Sequence, residues 1–414
     1  MLRTMSKRLI IFIASCLAMC SLLSAQPVRI MDTLRRLEME NIAVRQRGDT
    51  VTVAFEPTPY RGVYRGIDAA IRGLAAIPEL PTLQLVVLDH AVPQLCITLP
   101  SGLVKAYQVK ECSLEDLYRT MDITVATRPA MRELKGARSY YRSFGQTDLV
   151  LYPGVMLANN LRTKLYRYAV ELQPALEMQL WKGALIRAQV CLPLVNNEEG
   201  KWDCIRPGYL TLSQRFRWGD HWQGEVTAGN FSADRQGAAL SFGYLSSDGR
   251  LTVGMTGGVT GVSHLYGSDW HIGTWKRYNG MLKAGYYLPG CHTQLKAEAG
   301  RFLYGDYGVR GTLSRYFGEY IVGVYALYTD GEKNAGFHFS IPLPGKKRSR
   351  KNGFRIMLPD YFSFRYDMRS GNAYARRRLG ETYHTEPTSA ENSRFYQPDY
   401  IRYYLIRTLE NENN

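Results

Sequence analysis

The sequence predicts a mainly β protein, an antiparallel β-barrel of about 12–14 strands preceded by a small α+β domain. Three observations predict this fold. The N-terminus is laid out as an export signal, the later part of the chain alternates apolar and polar residues, and no apolar run of membrane-helix length follows the signal. A chain that crosses lipid without such helices crosses it as a closed barrel, because strands paired all round satisfy their backbone groups.

The first 25 residues have the order of a secretory signal peptide. Three basic residues precede an apolar run over 9–19, and a small-residue stretch ends at Ala25. We therefore expect residues 1–25 to be the signal and the mature chain to start directly after it. The alternative is lipidation at Cys20, which Met19 disfavours because a small residue is expected at that position.

The composition is typical of short strands with aromatic girdles and glycine bends. The chain has 29 Tyr and 38 Gly, with charged residues at only 21%, although a soluble all-β sandwich would share part of this composition. The net charge is +15, and removing the three basic residues of the signal leaves +12. This charge favours anionic neighbours such as lipopolysaccharide or acidic glycans, and a solvated basic surface explains it equally. Nucleic acid is not expected as a partner of an exported chain.

Five cysteines remain after the signal is removed, and an odd number cannot all pair internally. Two of them flank a turn and either close a loop in an oxidising compartment or stay unpaired; these are Cys191 and Cys204. No cysteine has the spacing of metal ligands, so we expect no metal and no cofactor. The other three are Cys96, Cys112 and Cys291.

The pattern of residues 26–145 predicts a compact α+β domain, which we expect to lie in the periplasm. The predicted order is helix, strand, strand, helix, strand, strand. The second helix carries apolar residues at helical spacing, and we expect this face to pack in a core rather than to bind a partner. The six predicted elements span residues 31–39, 41–45, 50–55, 64–77, 83–88 and 94–99.

From residue 146 to residue 368 the pattern changes to a period of two, which predicts the strands of the barrel. The clearest stretch is 170–180, where apolar residues at even positions alternate with mostly polar residues at odd positions. Alternation also fits a soluble sandwich, but charged residues at successive inward positions suit a water-filled lumen. The candidate lumen-lining residues are Glu171, Gln173, Glu177, Arg187, Arg215, Arg217, Lys296 and Glu298.

The rest of the chain, residues 369–414, predicts a polar tail with a short amphipathic helix that begins near Tyr400. This helix is expected to dock on or in the barrel. Two basic runs, residues 346–351 and 376–378, predict charged loops that are solvated or that contact anionic glycan or lipid.

A series of short motifs follows residue 299 in a fixed order. Residues 299–308 read AGRFLYGDYG, and LSRYF, VGVY, TD and FSIPL follow at 313, 322, 329 and 339. In this order and spacing the chain resembles the YjbH family of outer-membrane proteins. The resemblance implies an outer-membrane β-barrel that serves exopolysaccharide or capsule secretion, with exopolysaccharide and envelope export proteins as partners. The residues of the family-motif turn are Gly300, Arg301, Gly305, Asp306 and Gly308.

The motif itself predicts a tight turn between two strands rather than a ligand site. Its glycines permit bends or positive φ, and Asp306 is expected to hydrogen-bond its own turn. Two other classes of function stay open: a structural or small-solute barrel, and a barrel enzyme acting on lipid A. The enzyme hypothesis rests on His338 and Ser340, an inward-facing pair similar to that of barrel lipid A deacylases. Because two residues do not make a triad, we expect no catalytic site.

Overall fold

The structure is a computed structural model that describes residues 26–160, 164–368, 372–391 and 394–413. The predicted signal, residues 1–25, therefore lies outside the described residues. Among the helices of the described ranges, none combines the length and the apolar character needed to cross a membrane.

The N-terminal part of the chain forms a six-stranded sheet covered by helices. The predicted order of the first six elements is confirmed, whereas five later elements were not predicted. The sheet order is β5-β4-β3-β2-β1-β6, and only β2 and β3 run parallel. The elements are α1 (26–36), β1 (Glu40–Arg47), β2 (Thr50–Glu56), α2 (Val63–Ala75), β3 (Thr82–Asp89), β4 (Val92–Leu99), α3 (Ser101–Gln108), α4 (Leu114–Thr120), β5 (Asp122–Thr124), α5 (Arg128–Glu133) and β6 (Ser139–Tyr140).

Helix α2 shows why helices pack on this six-stranded sheet. Its apolar residues Ile67, Ile71 and Leu74 recur every three to four positions and are fully buried. This spacing places them on one helical face, which packs into the same core as Val53 and Leu85 of the sheet. The expectation that this face belongs to a core is therefore confirmed.

The second part of the chain forms one 15-stranded sheet, somewhat larger than the about 12–14 strands that the sequence predicts. Consecutive strands pair antiparallel along almost the whole sheet, and β20 joins β7 in parallel at one edge. The strands are β7 (Thr147–Asn160), β8 (Lys164–Trp181), β9 (Ala184–Asn196), β10 (Arg206–Trp218), β11 (Trp222–Phe231), β12 (Arg235–Leu245), β13 (Leu251–Leu265), β14 (Trp270–Ile272), β15 (Arg277–Leu288), β16 (Thr293–Arg301), β17 (Tyr307–Phe317), β18 (Tyr320–Thr329), β19 (Glu332–Pro342), β20 (Phe354–Met357) and β21 (Tyr361–Asp367). The chain is thus mainly β, with an α+β sheet first, as predicted.

The two faces of the large sheet differ sharply in polarity. In β9, Ile186 and Val190 are exposed, whereas Arg187 and Gln189 are only 4% and 1% exposed. The same arrangement holds in β10, where Leu212 is exposed between buried polar neighbours. The sheet therefore buries a polar face and exposes an apolar one, the reverse of a soluble sandwich.

Two further helices, α6 (Asn372–Arg377) and α7 (Pro398–Asn413), follow the sheet. Helix α7 is the predicted helix of the tail, and it packs between the small domain and the turns of the large sheet. Tyr400 and Tyr404 contact the ring of Tyr64 in α2, and Tyr400 also meets Tyr316 at the end of β17. A single hydrophobic core thus contains residues of the small domain, the sheet and the tail.

Ion pairs reinforce this junction. Glu319, in the turn between β17 and β18, accepts hydrogen bonds from Arg61 at 2.8 Å and from Arg65 at 2.7 Å. At the start of α7, Asp399 pairs with Arg250 at 2.7 Å. The small domain and α7 therefore cover the end of the sheet at which these turns lie.

The five described cysteines are all free thiols. Of the two alternatives left open for Cys191 and Cys204, the structure has the unpaired one.

Candidate functional site

The buried polar face of the large sheet, here called the polar face, carries the predicted lumen-lining residues. None of the eight is exposed, and they fall into three groups, on β8 and β9, on β10, and on β16. That they line a water-filled lumen stays a prediction, but their partners are defined by the structure.

The first group is a set of compensated charges on β8 and its neighbours. Glu177 pairs with Arg187 across to β9, with 2.7 Å between Arg187 Nε and Glu177 Oε1. Tyr152 of β7 donates its hydroxyl to the same carboxylate oxygen at 2.7 Å. A buried carboxylate and guanidinium are thus paired and hydrogen-bonded, the condition under which buried charge is tolerated.

Glu171 lies farther along β8 and is also compensated. Its carboxylate is 2.7 Å from Nη1 of Arg206, and the Gln173 amide donates to it at 2.8 Å. Arg206 was missed by sequence reasoning, because the pairing of β10 with β9 shifts register between Pro207 and Leu210 and the alternation is interrupted there.

The second group links the polar face to the small domain. Arg215 pairs with Asp89 at the end of β3 and with Glu225 of β11, each at 3.0 Å. Burial raises the pKa of Asp89, but its neighbours His90, Arg215 and Arg394 outweigh burial and hold that pKa well below its usual range. Asp89 is therefore negatively charged at the junction between the small domain and the sheet.

Arg217 completes this link through backbone groups. Its guanidinium donates to the carbonyls of Pro93 and Gln94 in β4 and of Val125 just after β5, at 2.7–2.9 Å. A fourth hydrogen bond reaches the carbonyl of Asp220 in its own turn at 2.6 Å. Arg217 therefore fixes the small domain to the sheet instead of facing open space.

The third group lies on β16. Lys296 pairs with Glu391 of the tail at 2.8 Å, and Glu298 pairs with Lys283 of β15 at 3.0 Å. Arg310 of β17 lies 3.7 Å from Glu298. Opposite charges on neighbouring strands thus neutralise one another along the polar face.

Residues 379–391, here called the inner segment, run over the polar face after α6. The segment touches β15 through Tyr383, β16 through Glu391 and β21 through Ser389. Glu386 lies 3.8 Å from Arg215 of β10. Because strands as far apart in the sheet as β10 and β21 reach this one segment, the sheet curves around it.

A cavity of about 540 Å³ lies between the inner segment and the sheet. Its lining is mostly polar and includes hydroxyl, amide and charged side chains with a few aromatic rings. Cationic side chains such as Lys283 and Arg365 face carboxylates such as Glu225 and Glu298. The arrangement suits a hydrated, polar content and offers no strongly charged ligand pocket.

The family-motif turn is a backbone element that also anchors the tail. Gly300 pairs with Gly308 across β16 and β17, and a Cβ on Gly300 would lie 2.1 Å from the carbonyl oxygen of Gly280. Only glycine fits this position. Arg301 donates to the carbonyl of Tyr278 at 2.8 Å, and Gly305 has a φ of 99°.

The expectation that Asp306 hydrogen-bonds its own turn is wrong, because its carboxylate bonds to groups outside that turn. Asp306 Oδ2 accepts from the Thr329 hydroxyl and from the backbone N–H of Gly380, each at 2.7 Å. The buried aspartate therefore holds the start of the inner segment, a role that no local pattern indicates.

His338 and Ser340, the two residues of the enzyme hypothesis, lie on the polar face. The hydrogen-bond partner found for His338 is, however, a different serine. His338 Nε2 lies 3.1 Å from the hydroxyl of Ser314 on β17. Ser314 is fully buried, so its hydroxyl is not presented to a substrate. The contact is that of a hydrogen-bonded structural pair.

One group in the small domain has the geometry of metal ligands: Glu56, Asp89 and His90 lie within 4.8 Å of one another. Glu56 already accepts the backbone N–H groups of His90 and Ala91, at 2.8 and 2.9 Å. Arg215 also lies 3.0 Å from Asp89. Hydrogen bonds and a neighbouring guanidinium thus occupy these donors, and the group is better explained as a structural network.

We expect replacement of Arg215 by alanine to lower the free energy of unfolding by about 3–5 kcal/mol, because it leaves Asp89 and Glu225 buried without their guanidinium. Chemical denaturation of the purified protein measures this loss. Arg47→Ala is the matched control, since Arg47 pairs with Glu133 at the surface and its loss should leave the unfolding midpoint unchanged. Equal effects of the two variants would contradict the assigned role of Arg215.

Comparison of the chain with protein families, with curated proteins and with solved structures finds no match.

Proposed function

We propose that the chain is an outer-membrane β-barrel whose small domain lies in the periplasm. The observation that carries this proposal is the exposed apolar face of the large sheet. Exposed apolar residues are cross-strand neighbours over most of the sheet, for example Val226 with Leu240, Met255 with Leu282, and Leu295 with Leu313. An apolar band of this extent is costly in water and favourable in lipid.

Exposed aromatic rings border this band at both ends of the strands. In β18, Tyr320 and Tyr328 are exposed eight residues apart, a distance of about 26 Å along a strand. Trp181, Trp218 and Trp222 are exposed at the end that the small domain covers. Two aromatic girdles about 25 Å apart are typical of outer-membrane barrels, where the rings lie at the lipid–water interfaces.

The course of the sheet supports closure. Cα atoms of β21, the last strand, come within 8 Å of those of β7, the first strand. The polar face curves around the inner segment, so the two edges approach each other. A closed barrel would satisfy the backbone groups of both edge strands within the bilayer.

The barrel would serve exopolysaccharide or capsule secretion as a component without enzymatic activity. The order of motifs that resembles the YjbH family supports this function, as does a polar face whose paired charges suit weak contacts with a hydrated polymer. Outer-membrane lipid, lipopolysaccharide, exopolysaccharide and envelope export proteins would be its partners. The positive net charge agrees with anionic neighbours at the cell surface.

A second candidate is a structural or small-solute barrel. The inner segment lies along the polar face and leaves a cavity of only about 540 Å³ beside it. A cavity of this size holds a small solute more readily than a polymer chain, and this observation favours the second candidate.

The membrane location is tested by Val324→Lys, which places a charge in the middle of the apolar band. We expect the lysine to cost about 2–4 kcal/mol in the bilayer and to reduce the amount of assembled protein in outer-membrane fractions. Val109→Lys is the control, because Val109 is exposed on the small domain, where a lysine meets water. Normal outer-membrane levels of both variants would contradict a lipid-facing position of Val324.

The export function is tested in a deletion strain of the source organism. We expect loss of surface polysaccharide, measured with a glycan stain, and its return when the wild-type chain is restored. Unchanged polysaccharide with altered uptake of small solutes would contradict the export function and favour the second candidate.

A further inference from the structure

The contacts of the inner segment change from apolar to polar along its length. At its start, Leu379 is buried in an apolar cluster with Phe302 and Leu327. Beyond its end, Tyr400 and Ile401 of α7 are buried in the core shared with the small domain. Apolar burial thus fixes the chain on both sides of the inner segment.

The middle of the segment is held almost entirely by polar contacts. His384 and Ser232 exchange two hydrogen bonds at 2.7 and 3.1 Å, and Ser389 Oγ lies 3.0 Å from Ser363 Oγ. The main aromatic contact is Tyr383, which stacks on Phe231. Contacts of this kind are exchanged for water at little net cost, whereas apolar anchors are not.

Ion pairs supply the remaining attachment. Glu386 pairs with Arg394 at 3.0 Å and lies near Arg215, and Glu391 pairs with Lys296. Each of these carboxylates comes from the tail, and Arg215 and Lys296 belong to the polar face. Glu386 and Glu391 therefore attach the middle of the segment to cations of the sheet.

The chain between the two anchors has a greater contour length than the strands beside it. Nineteen residue steps separate Leu379 from Pro398, and an extended chain of that length reaches about 65 Å. Strands β12, β15, β17 and β18 of the sheet have 10–12 residues, so their length is about 35–40 Å. A contour length greater than the strand length is the condition for a second path of the middle with both anchors in place.

We propose that residues 381–391 form a strap across the barrel interior that narrows the passage, and that this strap moves aside, with both ends fixed, to open it. The inference rests on the proposed membrane barrel and adds to it a conformational step. Opening breaks the contacts of Glu386 with Arg215 and of Glu391 with Lys296. It also joins the cavity beside the strap to the space that the strap leaves.

The test uses the full-length protein in planar lipid bilayers. Glu386→Gln with Glu391→Gln removes both carboxylates that meet cations of the sheet, and we expect the open time to rise about tenfold because the closed state loses these two contacts. Glu410→Gln is the matched control, because Glu410 lies in the same tail with an exposed side chain and should leave the conductance unchanged.

A second variant holds the strap closed. Ser363→Cys with Ser389→Cys places two thiols where the hydroxyls lie 3.0 Å apart. We expect the oxidised double variant to lose its openings and to regain them when dithiothreitol is added, whereas each single cysteine variant behaves as the wild type. The comparison is made on the same molecules before and after reduction, so it does not depend on equal folding of different variants.

Two failures are distinguishable. Inserted, heat-modifiable protein whose conductance is the same in the wild type, the glutamine variant and the oxidised cysteine variant would overturn the strap but keep the barrel. Failure of the wild type and every variant to insert into lipid would overturn the proposed function and the strap with it.

Discussion

The structure depends on the compensation of charge within the large sheet. A sheet that exposes its apolar face must bury its polar one, and a buried charge without a partner costs several kcal/mol. The sheet meets this constraint with pairs between neighbouring strands, such as Glu177 with Arg187 and Glu298 with Lys283. The tail and the small domain supply further partners, Glu391 for Lys296 and Asp89 for Arg215.

The same constraint explains why the small domain, the sheet and the tail form one unit. Asp89, Arg215, Glu386 and Arg394 make a continuous charged network from the small domain through the sheet to the inner segment. The tyrosines of α7 add an apolar core beside it. A movement of the inner segment would therefore change the ion pairs of the small domain, which faces the periplasm in the proposed orientation.

Local patterns predicted the elements and the face on which most side chains lie. The helical spacing of Ile67 and Ile71 and the alternation around Arg187 are set within a few residues, so the sequence alone indicates them. Helix α4 was missed although Ser113 and Asp116 form a capping box, a signal that is visible in the sequence.

The partners of these side chains could not be predicted in the same way. Asp89 lies 126 positions from Arg215, and Asp306 lies 74 positions from Gly380. Contacts between residues so far apart in the sequence depend on how the sheet curves and on where the tail packs against it. A single sequence contains no local signal for either. The eight candidate residues lie on the polar face, whereas the network that joins them required the structure.

The central claim is that the exposed apolar face meets lipid, and the native tryptophans test it most directly. Five of the six are exposed at the ends of strands or in the loop beside them: Trp181, Trp218, Trp222, Trp270 and Trp275. In vesicles of brominated lipid, the proposed orientation predicts strong quenching of their fluorescence by bromine near the headgroups and weaker quenching by bromine at the bilayer centre. Fluorescence that neither lipid quenches would contradict the claim.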